Sequence, residues 1–98
     1  MNAEATLREW LKDPAGLGDE DLIPPDAATI ERAIRLWRAL QDRGSDEPLR
    51  VVPDGEAGIV FEWYTQDSVR LVILDSDGRA RCETFKNGEL VTDIEIGY

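Results

Sequence analysis

Gly58-Ile59-Val60-Phe61-Glu62-Trp63-Tyr64, continued by Val69-Arg70-Leu71-Val72-Ile73-Leu74, Arg79-Ala80-Arg81-Cys82-Glu83-Thr84-Phe85 and Leu90-Val91-Thr92-Asp93-Ile94-Glu95-Ile96, reads as four β-strands. Apolar and polar side chains alternate along them, and β-branched and aromatic residues dominate. The alternation puts Ile59, Phe61, Trp63, then Val69, Leu71, Ile73, then Ala80, Cys82, Thr84, then Leu90, Thr92, Ile94 and Ile96 on one face. Because strand side chains repeat with period two, a slip of one residue turns such a set to solvent, so the faces constrain the turns. A three-residue loop Thr65-Gln66-Asp67 sets Trp63 opposite Val69. A four-residue loop Asp75-Ser76-Asp77-Gly78 sets Ile73 opposite Ala80, and a three-residue loop Lys86-Asn87-Gly88 sets Thr84 opposite Leu90.

The other face then acquires a charge pattern that was not used to choose the register. Glu62 falls opposite Arg70, Arg70 opposite Glu83, Arg81 opposite Asp93 and Arg79 opposite Glu95, with no like charges directly opposed. The same face carries Val60, Tyr64, Val72, Leu74, Phe85 and Val91, too apolar a set for a fully solvated surface. These six residues are the candidate protein-binding surface, unless the first helix or the 13–25 connector covers them.

Outward from the strands, helical periodicity takes over. Leu7, Trp10 and Leu11 share one face of a short helix from about Ala3 to Lys12, ended by Asp13-Pro14. Residues 13–25 hold Gly16, Gly18, Pro24 and Pro25 with the acidic run Asp19-Glu20-Asp21, and Leu17, Leu22 and Ile23 anchor them as a packed loop. A second helix spans Ala27 to Arg43, with Asp26 as N-cap and Gly44 as stop. Its Ile30, Ala33, Ile34, Trp37 and Leu40 fall within an arc of about 120°, and Arg32, Arg35, Arg38 and Arg43 lie outside it. Seventeen residues at ~1.5 Å per residue make a rod of about 25 Å, close to the length of an eight-residue strand. Arg50-Val51-Val52, before the turn Pro53-Asp54-Gly55, reads as a short edge strand. The expected fold is therefore α+β: N-terminal helices at about 3–12 and 27–43, then a four- to five-stranded antiparallel meander with the long helix on its Ile59/Phe61/Trp63 face. Residues 1–98 form a single domain on this reading.

Charge narrows the partners. The chain holds 21 acidic and 11 basic residues, a net charge of −10. The excess is even, with 11 acidic against 6 basic in residues 1–48 and 10 against 5 in residues 49–98. Such a surface repels nucleic-acid phosphates and anionic membranes, and favours a basic protein partner. Met1-Asn2-Ala3-Glu4 lacks the basic and apolar segments of a secretory leader, and no run approaches the ~20 apolar residues of a membrane span. The cytoplasm is the expected location.

Little in the chain supports catalysis. Without histidine no Ser-His-Asp or Cys-His arrangement can form. Cys82, the only cysteine, is assigned to the core beside Leu71. Asp75-Ser76-Asp77-Gly78 resembles the start of a calcium loop but lacks the later acidic ligands, so it reads as a turn. Asp93 and Glu95, with Glu62 and Glu83 nearby, could suggest an acid/base or metal pair, but each has an arginine partner in the expected register. Gly16-Leu17-Gly18 lacks the third glycine of a phosphate-binding loop. Trp10, Trp37 and Trp63 fall on apolar faces, Trp10 being the one best placed to bind. No catalytic residue, metal or cofactor is expected.

The stretch Pro53-Asp54-Gly55-Glu56-Ala57-Gly58-Ile59-Val60-Phe61-Glu62-Trp63-Tyr64, with Val69-Arg70-Leu71 and Asp77-Gly78, resembles a pattern in small bacterial proteins without assigned function. There a helix precedes a Pro-x-x-Gly turn, a Phe-Glu-Trp strand and a meander. The likeness covers about residues 48–80 and departs after Gly78, where Arg79-Ala80-Arg81-Cys82 replaces an aromatic strand. It implies an α+β fold and an interaction role, and carries over no catalytic residue. The function expected from charge, size and the half-apolar face is a small acidic protein-binding module, of the kind with which an antitoxin or immunity protein neutralises a basic partner. The alternative is a self-associating domain that dimerises through the same face. A small enzyme using carboxylates alone ranks last.

Overall fold

The computed structural model describes residues 2–17 and 21–98. Two helices, α1 (Ala3–Lys12) and α2 (Ala27–Asp42), precede five strands: β1 (Arg50–Pro53), β2 (Ile59–Tyr64), β3 (Ser68–Leu74), β4 (Ala80–Lys86) and β5 (Glu89–Ile96). The strands form one antiparallel sheet in chain order, β1 and β5 at its edges. This is the expected α+β meander, in its five-stranded form.

The helix ends are where the side chains placed them. Asn2 caps α1 by accepting from the Ala5 N–H, and Asp26 caps α2 by accepting from Thr29 N–H at 2.8 Å. Gly44, at φ +89°, takes the left-handed conformation that ends α2. Between the helices, Pro14–Leu17 form a 3₁₀ turn. Ile23 then pairs with the β1–β2 turn, donating to Gly55 O at 2.9 Å and accepting from Ala57 N–H at 3.0 Å. Of the acidic run in this connector, Asp21 is exposed, and Asp19 and Glu20 lie outside the described residues.

Both helices pack on the same face of the sheet. One core joins Ala3 and Leu7 of α1, Ile30, Ala33, Ile34, Leu36, Trp37 and Leu40 of α2, and Val51, Ile59, Phe61, Val72, Leu74 and Ala80 of the sheet. Trp37 and Phe61 of this core cluster with the partly buried Trp63, ring centroids 6.1–6.4 Å apart. Trp63 also donates its indole N–H to Asp46 O at 2.8 Å. Trp10 is half-buried against this core, so none of the three tryptophans stands free. Leu36 joins the buried set although it lies beyond the 120° arc, which makes the buried face of α2 wider than a helix resting on a sheet alone requires.

The register departs from the expected one, and the departure moves two of the candidate residues. Tyr64, not Trp63, lies opposite Val69, because Thr65 N–H bonds Ser68 O and closes a two-residue turn at Gln66-Asp67. Leu74, not Ile73, lies opposite Ala80, because Asp75 N–H bonds Arg79 O around Ser76-Asp77-Gly78. Strand β3 is thereby turned over. Val72 and Leu74 are fully buried beneath the helices, opposite Phe61 and Ile59, and Val69, Leu71 and Ile73 take the outer face. The physical reason is that Val69-Arg70-Leu71-Val72-Ile73-Leu74 is apolar at every position but one, so either face of the strand can be buried and the turns decide. Arg70 is accommodated on the inner face because it lies at the rim, its guanidinium 4.7 Å from the Trp63 ring centroid.

At the last hairpin a second device appears. Asn87 and Gly88 have φ of +52° and +81° and make a two-residue turn that sets Lys86 opposite Glu89. On its own this turn would mix the faces of β4 and β5. A bulge corrects it: Phe85 lies opposite Leu90 and Thr84 opposite Thr92, leaving Val91 as the extra residue. Thr92, Ile94 and Ile96 keep their expected face, whereas Leu90 joins Phe85 on the outer one.

Candidate functional site

The outer face of the sheet has no second layer among the described residues. The α1 helix packs on α2, and the exposed Leu22 and Ile23 reach the β1–β2 turn. Residues paired across neighbouring strands share a face, so the register lays the outer face out in three rows. The first contains Tyr64, Val69, Phe85 and Leu90, and the third Val52, Val60, Ile73, Arg81 and Glu95. Between them run Arg50, Glu62, Leu71, Glu83 and Asp93. The result is two rows rich in apolar side chains flanking a mainly acidic one.

Of the six residues named from the sequence, Val60, Tyr64 and Phe85 sit on this face, and Val91 is exposed at the bulge. Val72 and Leu74 belong to the core instead. Val69, Leu71, Ile73 and Leu90 take their place. The signal that could have located them was the nearly continuous apolar run of β3, which provides a side chain to both faces.

The charge pairing also differs from the expected one. Glu62 is almost fully buried, at 7 % exposure. It accepts from Arg50 Nε at 2.8 Å across the β1–β2 pair, and from the Tyr64 hydroxyl. That hydrogen bond to the carboxylate pushes the Tyr64 phenol above its ordinary value. Arg70, expected opposite Glu62, faces the other way, its Nε 3.5 Å from Cys82 Sγ. Cys82 itself is half-buried opposite Val72, not Leu71. Glu83 faces Asp93 directly, so like charges do stand opposed, and Arg81 faces Glu95. Arg81 reaches Glu83 only at 4.0 Å, along its own strand. The expected Arg70–Glu83, Arg81–Asp93 and Arg79–Glu95 pairs all fail because β3 and β5 are set one or two residues away from the assumed register.

The turns use their own carboxylates. Asp75 Oδ1 accepts from Asp77 N–H at 2.9 Å and Arg79 N–H at 3.0 Å, and Asp54 Oδ1 accepts from Glu56 and Gly58 N–H. Gly58 is required there, since a Cβ would lie 2.6 Å from Leu74 O. Among the described residues no group of three or more His, Cys, Asp or Glu is placed to hold a metal ion, and no helix is long and apolar enough to cross a membrane.

Comparison with protein-family models, with curated proteins and with solved structures gave no match.

Proposed function

We propose that this chain is a small acidic protein-binding module whose outer sheet face receives a basic protein partner. The observation that carries the reading is the layering: both helices are used on one face, and the other presents rows rich in apolar side chains on either side of Glu83 and Asp93, in line with the buried Glu62. Burial of apolar surface supplies affinity, while an acidic row between apolar rows selects for Lys and Arg and against acidic partners. The opposed Glu83 and Asp93 repel each other in the free protein, and a cation placed between them relieves that repulsion. Neutralisation of a basic protein, as by an antitoxin or immunity protein, is the biological role that such a face suits.

The test compares affinity capture by the wild-type protein with capture by a Leu71→Lys/Phe85→Lys variant. Both residues lie outside the core, so the circular dichroism of the variant stays that of the wild type. A basic protein retained by the wild type and lost with the variant is the expected result. Equal retention by both, or none by either, refutes the reading. Sedimentation of the wild type alone at micromolar concentration yields a monomer; a stable dimer through this face would turn the assignment to self-association.

A further inference from the structure

The two edges of the sheet differ. Strand β1 is four residues long, ends in Pro53 with Pro48 shortly before it, and has α1 against it. Strand β5 is eight residues long, contains no proline, and has no neighbour beyond it among the described residues. Its bulge at Val91 blunts one end, but Thr92 to Ile96 is regular. That segment is also fastened at its far end: Arg43 Nη2 donates to Gly97 O at 2.8 Å and the Tyr98 hydroxyl to Gly78 O at 2.8 Å. A regular, anchored edge with free N–H and C=O groups is a template for another strand.

The two sides of this edge are chemically distinct. On the inner side α2 stops short of β5, leaving Ile94 58 % exposed. A groove lies there, with Leu40, Cys82, Ile94 and Ile96 as its apolar lining and the charged Arg43, Asp46 and Arg70 also along it. On the outer side Asp93 and Glu95 stand exposed, backed on β4 by Glu83 and Arg81 respectively. A strand laid along β5 therefore meets apolar surface with one set of alternate side chains and carboxylates with the other.

We infer that β5 accepts, as a sixth antiparallel strand, an extended segment of a partner protein in which apolar and basic residues alternate. The apolar residues enter the groove beside Ile94 and Ile96, and the basic ones lie next to Asp93 and Glu95. A second copy of the chain is a poor occupant. Two-fold pairing centred on Ile94 sets Asp93 of each copy against Glu95 of the other, and pairing centred on Asp93 or Glu95 opposes identical carboxylates. Each such contact is unfavourable, and each copy carries a net charge of −10. This inference rests on the protein-binding reading above, shares Glu83 and Asp93 with it, and adds the β5 edge and a backbone-directed mode.

The probe is a capped eight-residue peptide of alternating lysine and valine, titrated into the full chain and followed by amide NMR shifts and hydrogen exchange. Shift changes and slowed exchange concentrated in Thr92–Ile96 are expected. The alternating glutamate–valine peptide should bind at least tenfold more weakly. N-methylation of every second residue, prepared in both frames, retains the charge but removes one edge of donors, and one frame should lose at least tenfold. The Asp93→Lys/Glu95→Lys variant should invert the preference between the lysine and glutamate peptides. Equal binding of both N-methylated frames and the parent, or shifts confined to Leu71, Ile73 and Phe85, overturns the edge proposal and leaves the outer-face reading standing. Protection of β5 in a dimer without peptide also overturns it, in favour of a second copy. Absence of any shift on edge or face defeats both.

Discussion

Glu4 and Arg38 lie 34 residues apart and show how single side chains fix the layering of this protein. The Glu4 carboxylate accepts from Arg38 Nε at 2.8 Å, Arg38 Nη2 at 3.2 Å and Arg8 Nε at 3.0 Å, tying the first turn of α1 to α2. The hydrogen bonds from Arg38, and then from Arg8, pull its pKa from 4.5 to about 2. A carboxyl group with a lower pKa in the folded state binds its proton more readily when unfolded. Its contribution to stability is therefore complete above the unfolded pKa near 4.5 and is lost as pH falls through about 2. The pair is exposed and salt-screened, so its contribution is small. In Arg38→Gln, the Glu4 carboxyl, followed by its ¹³C shift against pH, is expected to titrate closer to 4.5 than in the wild type. Titration of wild-type Glu4 already near 4.5 would show that the latch does not form in solution.

At the level of the element, strand β3 decides which face of the protein is free. The helices, their caps and the edge strand were legible because a helix with one apolar arc, Asp26 before it and Gly44 after it, admits one reading. The inner residues of β4 were equally legible, since it alternates, and β2 was oriented by its one charged residue, Glu62, which faces outward, whereas the one charge of β3, Arg70, lies on the inner face. The register of β3 was not, because its alternation is weak and the true turns are shorter than those assumed: Gln66-Asp67 in place of three residues, Ser76-Asp77-Gly78 in place of four. Nor was the β5 bulge, whose role is to reconcile a tight Asn87-Gly88 turn with a consistent inner face. Two of the six candidate surface residues, Val72 and Leu74, consequently belong to the core. Two substitutions separate the registers. Val72→Ala removes a fully buried side chain packed opposite Phe61, and should cost about 2 kcal/mol. Leu71→Ala, on the uncovered face, should cost no more than about 1 kcal/mol. Both are read from urea unfolding at constant m-value. The slipped register requires the opposite order, so a costlier Leu71→Ala would refute the assignment of faces.

On the scale of the whole molecule, the net charge links stability to binding through salt. The described chain has a radius of gyration of 13.1 Å, and the Debye length is about 30 Å at 0.01 M salt and ~10 Å at 0.1 M. At low salt every carboxylate therefore repels every other across the whole protein, while near 1 M the range shrinks to ~3 Å and only contacts remain. Folding concentrates the charge, so screening should favour the folded state, with little opposing loss because the surface ion pairs are individually weak. Raising NaCl from 0.01 to 0.5 M should stabilise the protein by roughly 1 kcal/mol, which for a domain of this size is a rise in Tm of about 4–8 °C. A melting temperature that is flat or falls over that range would mean that attractive pairs, not net repulsion, dominate the surface. The same screening acts in the other direction on a basic partner, whose association rate and affinity should fall over the same salt range. Stability rising while binding falls is a signature that hydrophobic association alone cannot give, since salt at these concentrations strengthens apolar burial in both processes. It would place the acidic residues, rather than the apolar rows between which they lie, in charge of partner choice.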